Sequence, residues 1–356
     1  MVSVGAASTI AITLITPSSV VAQKTTKAAK NKSTTDAAQL VWPLPPEQTR
    51  IRYLTAYRGV DDFKPARKSS KFMTMLLGPE DGKTLASDTM MKPYGVAVSP
   101  RGQLYVADTA ARRVFVFDAD AKTVAFVGEE GGNRLSKPIG VATDENGTVY
   151  VADATLKRVF GYDPSGRMVV AIGHDGELAN PSGLAVDRAN RRLYVADAAK
   201  HQILSYSTVD GSPLGTIGTR GSEPGEFNFP TNLTVDARGR LFVADTLNFR
   251  VQIFDADGTF VRSFCTLGDT PGSLNRPKGL GVDSEGHIYV VDASFNNFQI
   301  FDEGGQLLLF VGTGGNRPGE FFLPAGLFID ERDRIYVADQ GNSRVEVFQY
   351  LRGANK

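Results

Sequence analysis

The chain has 356 residues, 42% of them hydrophobic, with 39 basic and 39 acidic side chains and a single cysteine. That length is enough to bury a sizeable core, and one thiol excludes an internal disulfide framework. Without residues 1–39 the rest holds 35 basic and 38 acidic groups, a net of −3, whereas a nucleic-acid-binding domain usually shows a basic excess.

Residues 4–22 are apolar with Ser and Thr and run into Ser18-Ser19-Val20-Val21-Ala22-Gln23. Small residues at this point suit signal-peptidase cleavage after Ala22. Residues 1–22 are therefore expected to be an export signal, with the folded part periplasmic or extracellular. No Lys or Arg precedes Lys24, and Pro17 interrupts the stretch. A membrane anchor is the competing reading, and membrane contact is expected only if the segment stays uncleaved. No cysteine lies there to carry a lipid. Residues 23–50 are expected to be a flexible linker. Their low-complexity part, QKTTKAAKNKSTTDAAQ, cannot bury apolar surface.

The run Ile51-Arg52-Tyr53-Leu54-Thr55-Ala56-Tyr57 alternates apolar and polar residues, as a strand with one wet face does. Residues 65–77, PARKSSKFMTMLL, place Met73, Leu76 and Leu77 at helical spacing. They predict one short amphipathic helix.

A YVAD-like sequence then occurs six times, ending at Asp108, Asp153, Asp197, Asp245, Asp292 and Asp339, with spacings of 45, 44, 48, 47 and 47 residues. A period of this size marks a repeat architecture. Each unit opens on Pro and usually Gly two residues on, as in Pro93-Tyr94-Gly95 and Pro138-Ile139-Gly140. β-Branched and aromatic runs bounded by Asp/Gly/Asn turns then predict four short strands per unit. One such sheet cannot cover both of its faces, but sheets stacked around an axis can. The fold class is all-β: a six-bladed β-propeller of four-stranded antiparallel blades spanning 51–352. The sixth unit ends after its third strand, Arg344-Val345-Glu346-Val347-Phe348, so residues 51–57 are expected to supply the fourth and close the ring. The predicted helix would then cap one end of the ring or gate its channel.

The units resemble the NHL repeat over about residues 51–351. The best copies are PTNLTVDARGRLFVADTLNFRVQIFDADG from Pro230 and PAGLFIDERDRIYVADQGNSRVEVF from Pro324. The resemblance implies a propeller and leaves the activity open. It also implies that the six aspartates, with arginines four or five residues on, are architectural. Arg112 or Arg113, Arg158, Arg250 and Arg344 are expected to pair with Asp108, Asp153, Asp245 and Asp339. Asp197 and Asp292 have His201-Gln202 and Asn297-Phe298 in that place, so these two aspartates are the ones to inspect for solvent or ligand contacts.

Some six-bladed relatives are enzymes that use histidine-bound zinc or a divalent ion held by Glu, Asn and Asp. The histidines here do not suit a zinc site. His174 and His201 fall in connections on one face, and His287 falls on the other. Residues after the unit-opening prolines (Tyr94, Ile139, Ser182, Thr231, Lys278, Ala325) include no acid for a calcium cage. The Gly-rich runs at 221–225 and 312–319 precede proline and a strand, so they are not phosphate loops. No nucleophile with a nearby base is evident, and no metal or cofactor is expected.

A binding face fits better. The connections between second and third strands share a face with the inner-strand starts, taken as the axial mouth. They are basic in three units (Arg112-Arg113, Lys157-Arg158, Lys200-His201), then aromatic and amide-bearing (Asn248-Phe249, Phe295-Asn296-Asn297). Together with Tyr94, Thr231, Asn232 and Lys278 they are the candidate contacts for a protein or peptide, or for a small ligand in the channel. Phe249 and Phe295 could instead pack between blades. A periplasmic lyase or hydrolase is the second reading, and RNA binding a third.

Overall fold

A computed structural model of the chain describes residues 40–64, 88–129, 134–174 and 176–353. The expected signal segment, residues 23–39 and the helix over 65–77 lie outside the described residues. The described chain forms six antiparallel sheets, each built from one repeat. The inner strands are Pro93–Val98, Pro138–Thr143, Pro181–Asp187, Pro230–Val235, Pro277–Val282 and Pro324–Ile329. Each is the first of four strands and pairs along one edge only, which leaves the other edge facing the ring axis.

Four of the second strands, such as Leu104–Asp108 and Leu241–Asp245, are buried at every position, and the other two at all but their first. Apolar side chains on both faces are needed because each blade is covered by a neighbour on either side. Six hydrophobic clusters result, each shared by two successive blades. The outer strands Phe260–Phe264 and Leu307–Val311 alternate half-buried and exposed residues, as expected at a wet rim.

Residues 51–57 close the ring. Ile51–Tyr57 pairs antiparallel with Arg344–Tyr350, setting Ile51 opposite Tyr350, Tyr53 opposite Phe348 and Tyr57 opposite Val345. Val41–Trp42 adds a fifth strand, with Trp42 opposite Ile51. Residues 40–42, expected in the linker, are thus part of the sixth sheet. Phe348 anchors this seam, with the rings of Trp42, Tyr53, Phe298 and Phe321 centred 5.5–6.0 Å from it. Burying one such side chain is worth about 1.5–3 kcal/mol. Deleting residues 51–57 should therefore lower the melting temperature of the whole domain, and a truncated protein that melts like the intact one would refute this closure.

Glu346 stands on the third strand of blade 6, Arg344–Tyr350, where the third strands of blades 4 and 5 have Gln252 and Gln299. Those amides accept Gly225 and Gly272 N–H groups at 3.0 and 2.7 Å and donate to the Glu226 and Ser273 carbonyls. Glu346 accepts the Gly319 N–H at 3.1 Å but has no donor to offer when ionised. It is fully buried and shares one guanidinium, Arg344, with the buried Asp339. Burial pushes its carboxyl up to about 8, with Arg344 opposing and Asp339 reinforcing. The folded protein then keeps a proton that the unfolded chain releases above pH 4.5, so stability falls as pH rises from there to about 8. Glu346→Gln should raise the melting temperature at pH 8 and flatten its fall between pH 5 and 8. A residual slope of the same sign comes from His287, whose hydrogen bond to Asp283 raises its pKa. An unchanged or steeper slope in the variant would refute the assignment.

Candidate functional site

The six repeat aspartates are all 0% exposed. Each closes a second strand opposite the proline that opens the inner strand, as Asp108 faces Pro93. Asp108 accepts backbone N–H groups from Met91 and Lys92 on the incoming chain and from Ala110 and Ala111 on the outgoing turn. Asp153 does the same with Ser136, Lys137, Thr155 and Leu156. Such donors stabilise an ionised carboxylate inside a protein. The turn held this way ends on a left-handed residue in every blade: Arg112, Lys157, His201, Phe249, Asn296 and Ser343, with φ between 53° and 60°.

The expected Asp–Arg pairs form in two units of the four: Arg250 Nε meets Asp245 at 2.9 Å and Arg344 Nε meets Asp339 at 2.8 Å. Both arginines also donate to the carbonyls of the long loop before the inner strand, Arg250 to Glu226 and Arg344 to Glu320. Arg113 instead pairs with Glu129 and lies 4.4 Å from the Phe126 ring centre. It is 7% exposed, so it leaves the expected binding face. Arg158 stands opposite Asp153 in the ladder, but that carboxylate is occupied by the four amides. Asp197 and Asp292 are as buried as the others and accept backbone N–H groups, from Ala179, Asn180 and Lys200 and from Asn275, Arg276, Ser294 and Phe295. They are knots of the backbone and face no solvent.

The blades without that arginine use the left-handed residue differently. His201 Nδ1 accepts the Phe229 N–H at 3.1 Å, and Asn296 Oδ1 accepts the Leu323 N–H at 2.9 Å. Phe229 and Leu323 are themselves left-handed, at φ 59° and 52°, a conformation that costs a bulky side chain about 1–3 kcal/mol. Ser343 Oγ donates to the Met91 carbonyl at 2.9 Å, joining blade 6 to blade 1. Lys157 and Lys200 are exposed, and Phe249 and Phe295 are half-buried. Sequence reasoning missed other apolar side chains in the turns and loops of this end: Met91, Leu156, Leu247, Leu267, Phe322 and Leu323 are all exposed, Phe322 at 53%. The signal lay at the pre-proline position, which reads Lys92, Lys137, Asn180, Phe229, Arg276 and Leu323.

The axial mouth is not on this face. Here the Pro-x-Gly glycines bring neighbouring inner strands into contact. A β-carbon on Gly95 would run into the Ile139 carbonyl, and one on Gly326 into that of Tyr94. Lys278 Nζ lies 3.3 Å from Tyr94 Oη across blade 6, while Ser182, Thr231 and Ala325 are buried. A cavity of about 690 Å³ runs from this constriction to the opposite face, between the turns that join first and second strands. His287 belongs to that end, its Nδ1 2.9 Å from Asp283. Among the described residues no three His, Cys, Asp or Glu side chains gather as metal ligands.

Residues 178–206 and 227–254 match the NHL repeat, and residues 280–351 match a six-bladed β-propeller model. The chain is a six-bladed propeller carrying NHL repeats. Residues 55–174 also match the SMP-30/gluconolactonase/LRE-like region. The chain is 38% identical over 79 residues to mouse NHL repeat-containing protein 3, covering 22% of this chain and 23% of that protein. It is 53% identical over 49 residues to Protein lin-41 of Caenorhabditis elegans, or 14% and 4% of the two chains. The matched stretches thus span under a quarter of the length of these relatives. Solved structures of the same fold include a gluconolactonase from Xanthomonas campestris (18% identity, TM-score 0.57, covering 74% of this chain and 87% of that one). A streptogramin B lyase (11%, 0.54, 74% and 94%) and a nutrient-binding protein from Bacteroides thetaiotaomicron (16%, 0.57, 73% and 69%) share it too. At these identities the likeness is one of fold, shared by enzymes and binding proteins alike.

The bond from Asn296 to Leu323 holds a strained residue on the surface of this NHL-repeat propeller. Asn296→Ala should cost about 1–2 kcal/mol and speed hydrogen exchange at the Leu323 amide. Unchanged exchange there would show that the loop holds Leu323 without the side chain.

Proposed function

We propose that this NHL-repeat propeller is a binding module, exported to the periplasm or cell exterior. On this reading it docks a protein or peptide on the face of the second-to-third strand connections. The observation that carries it is the ring of six left-handed turn residues and its division into two sectors. Blades 1–3 present Arg112, Lys157 and His201 there, with Lys92, Lys137 and Lys200 alongside. Blades 4–6 present Phe249 with Leu247, Leu267, Phe295, Phe322 and Leu323. Exposed apolar side chains gathered on one face mark interaction sites, and aromatic anchors dominate interface energetics. A cationic sector beside an apolar one selects a polypeptide carrying both acidic and apolar side chains. The N-terminal segment is the basis for the export part of the reading.

A second reading, a lyase or hydrolase with an axial active site, is favoured by the cavity and by the SMP-30/gluconolactonase match over blades 1 and 2. Panning a random peptide library on the protein separates the two. Selected peptides should be rich in Asp or Glu together with Leu or Phe. Lys157→Glu/Lys200→Glu and Leu247→Ser/Phe322→Ser should each weaken them about tenfold or more with no drop in melting temperature. Selection of basic or purely polar peptides, or binding to both variants as tight as to the parent protein, would exclude the docking face.

A further inference from the structure

The end of the propeller opposite the docking face has its own chemistry. Its cavity is blind, because the glycines of the Pro-x-Gly motif close the far end. Blade 4 alone has a side chain at that position, Asn232, and its Nδ2 is buried with no hydrogen-bond partner. The wall combines the half-buried flanks of Val186, Val235, Val282 and Ile329 with the unpaired edges of the inner strands. A volume of about 690 Å³ suits a small organic molecule.

The outer end is spanned by one side chain. Arg188, at the end of the blade 3 inner strand, reaches to Glu331 of blade 6, with Nη1 3.0 Å from Oε1. Blades 3 and 6 are opposite in a six-membered ring, so this pair crosses the axis. On the way the guanidinium touches the Val98 and Thr143 carbonyls and Thr143 Oγ1 at 3.3–3.5 Å, long for hydrogen bonds. The neighbouring turns hold their charges locally: Arg240 with Asp236 and Arg334 with Asp330, each at 2.7 Å, Arg352 with Asp333 at 2.8 Å, and His287 with Asp283. Arg188 directly follows Asp187, whereas Arg240 and Arg334 stand four residues after their aspartates, and Asp187 is taken by Asn190 N–H and Nδ2 at 3.1 and 2.7 Å. Arg188 is thereby left to a carboxylate that is 82% exposed. An ion pair with so wet a partner is worth little and is readily exchanged.

We infer that the axial cavity binds a small amphipathic anion that enters from this end. Its carboxylate or sulfonate replaces Glu331 on Arg188, and its apolar body lies along the valines. The site is independent of the docking face, and it requires no metal.

Fluorescence titration of the full chain with 1-anilinonaphthalene-8-sulfonate and with the neutral N-phenyl-1-naphthylamine tests this. The sulfonate should bind more tightly than the neutral probe. Arg188→Gln should weaken the sulfonate about tenfold and leave the neutral probe as tight or tighter, since the mouth is then open. Glu331→Gln removes the competing carboxylate and should strengthen the sulfonate several-fold. Leu247→Ser/Phe322→Ser, on the other face, should change neither. No binding of the sulfonate, or equal responses of the two probes to Arg188→Gln, would overturn the proposal. So would a signal lost in Leu247→Ser/Phe322→Ser, or a fall in melting temperature as the sole effect of Arg188→Gln and Glu331→Gln, which would make the pair a brace across the ring.

Discussion

The repeat rests on a buried carboxylate that accepts backbone amides from two directions. An aspartate at the end of each second strand ties the chain arriving at the inner strand to the turn leaving for the third. An ionised group with no exposure is tolerable only when its lone pairs are filled by donors that cannot drift away. Main-chain N–H groups meet that condition. Asp245 and Asp339 accept fewer of them and recruit Asn248 and Arg250, or Asn342 and Arg344, to make up the number. Burial still raises both pKa values, with the amide, asparagine and arginine donors opposing it. The left-handed residue that follows is a consequence of this knot, and so is the position from which every docking candidate projects.

The same knot fixes the two ends of the ring as different environments. It sets the proline and the glycine after it at one level, where inner strands touch backbone to backbone. The strands diverge toward their other end, and space opens between the hairpin turns. A partner on the first end meets a nearly closed, ridged surface suited to a polypeptide. A molecule approaching the second end meets a cavity crossed by Arg188, whose ionic partner Glu331 is mostly exposed. Two kinds of recognition can therefore coexist on one scaffold without sharing a residue.

Period and composition were enough to read the blade number, the strand order within a blade and the closure by residues 51–57. These follow from spacing and from the need to cover each sheet face. Partner choice was harder to read. Spacing places Arg113 next to Asp108, but that carboxylate is already filled by amides, and the guanidinium turns to Glu129 and two phenylalanine rings. The strand at Val41–Trp42 is too short to show a period. The location of the mouth was misjudged because spacing does not show the contact between blades that the Pro-x-Gly glycines permit. Arg188 was legible only by comparison across repeats, since its turn, Asp187-Arg188-Ala189-Asn190, has asparagine where four of the other five have glycine.

The departures from the repeat matter more for function than the repeat itself. A ring of six equivalent blades has six equivalent faces and little means of orienting a ligand. Blades 3 and 5 break the equivalence by replacing the arginine that follows the knot. His201 and Asn296 then hold Phe229 and Leu323 in a backbone conformation that bulky residues avoid. Blades 4 and 6 break it again with long loops pinned by Arg250 and Arg344. Most exposed apolar residues of this end sit in blades 4–6, beside the basic turns of blades 1–3, where Met91 and Leu156 are exposed as well. Strain at Phe229 and Leu323 is offset by interactions elsewhere in the ring, the side-chain bonds from His201 and Asn296 among them.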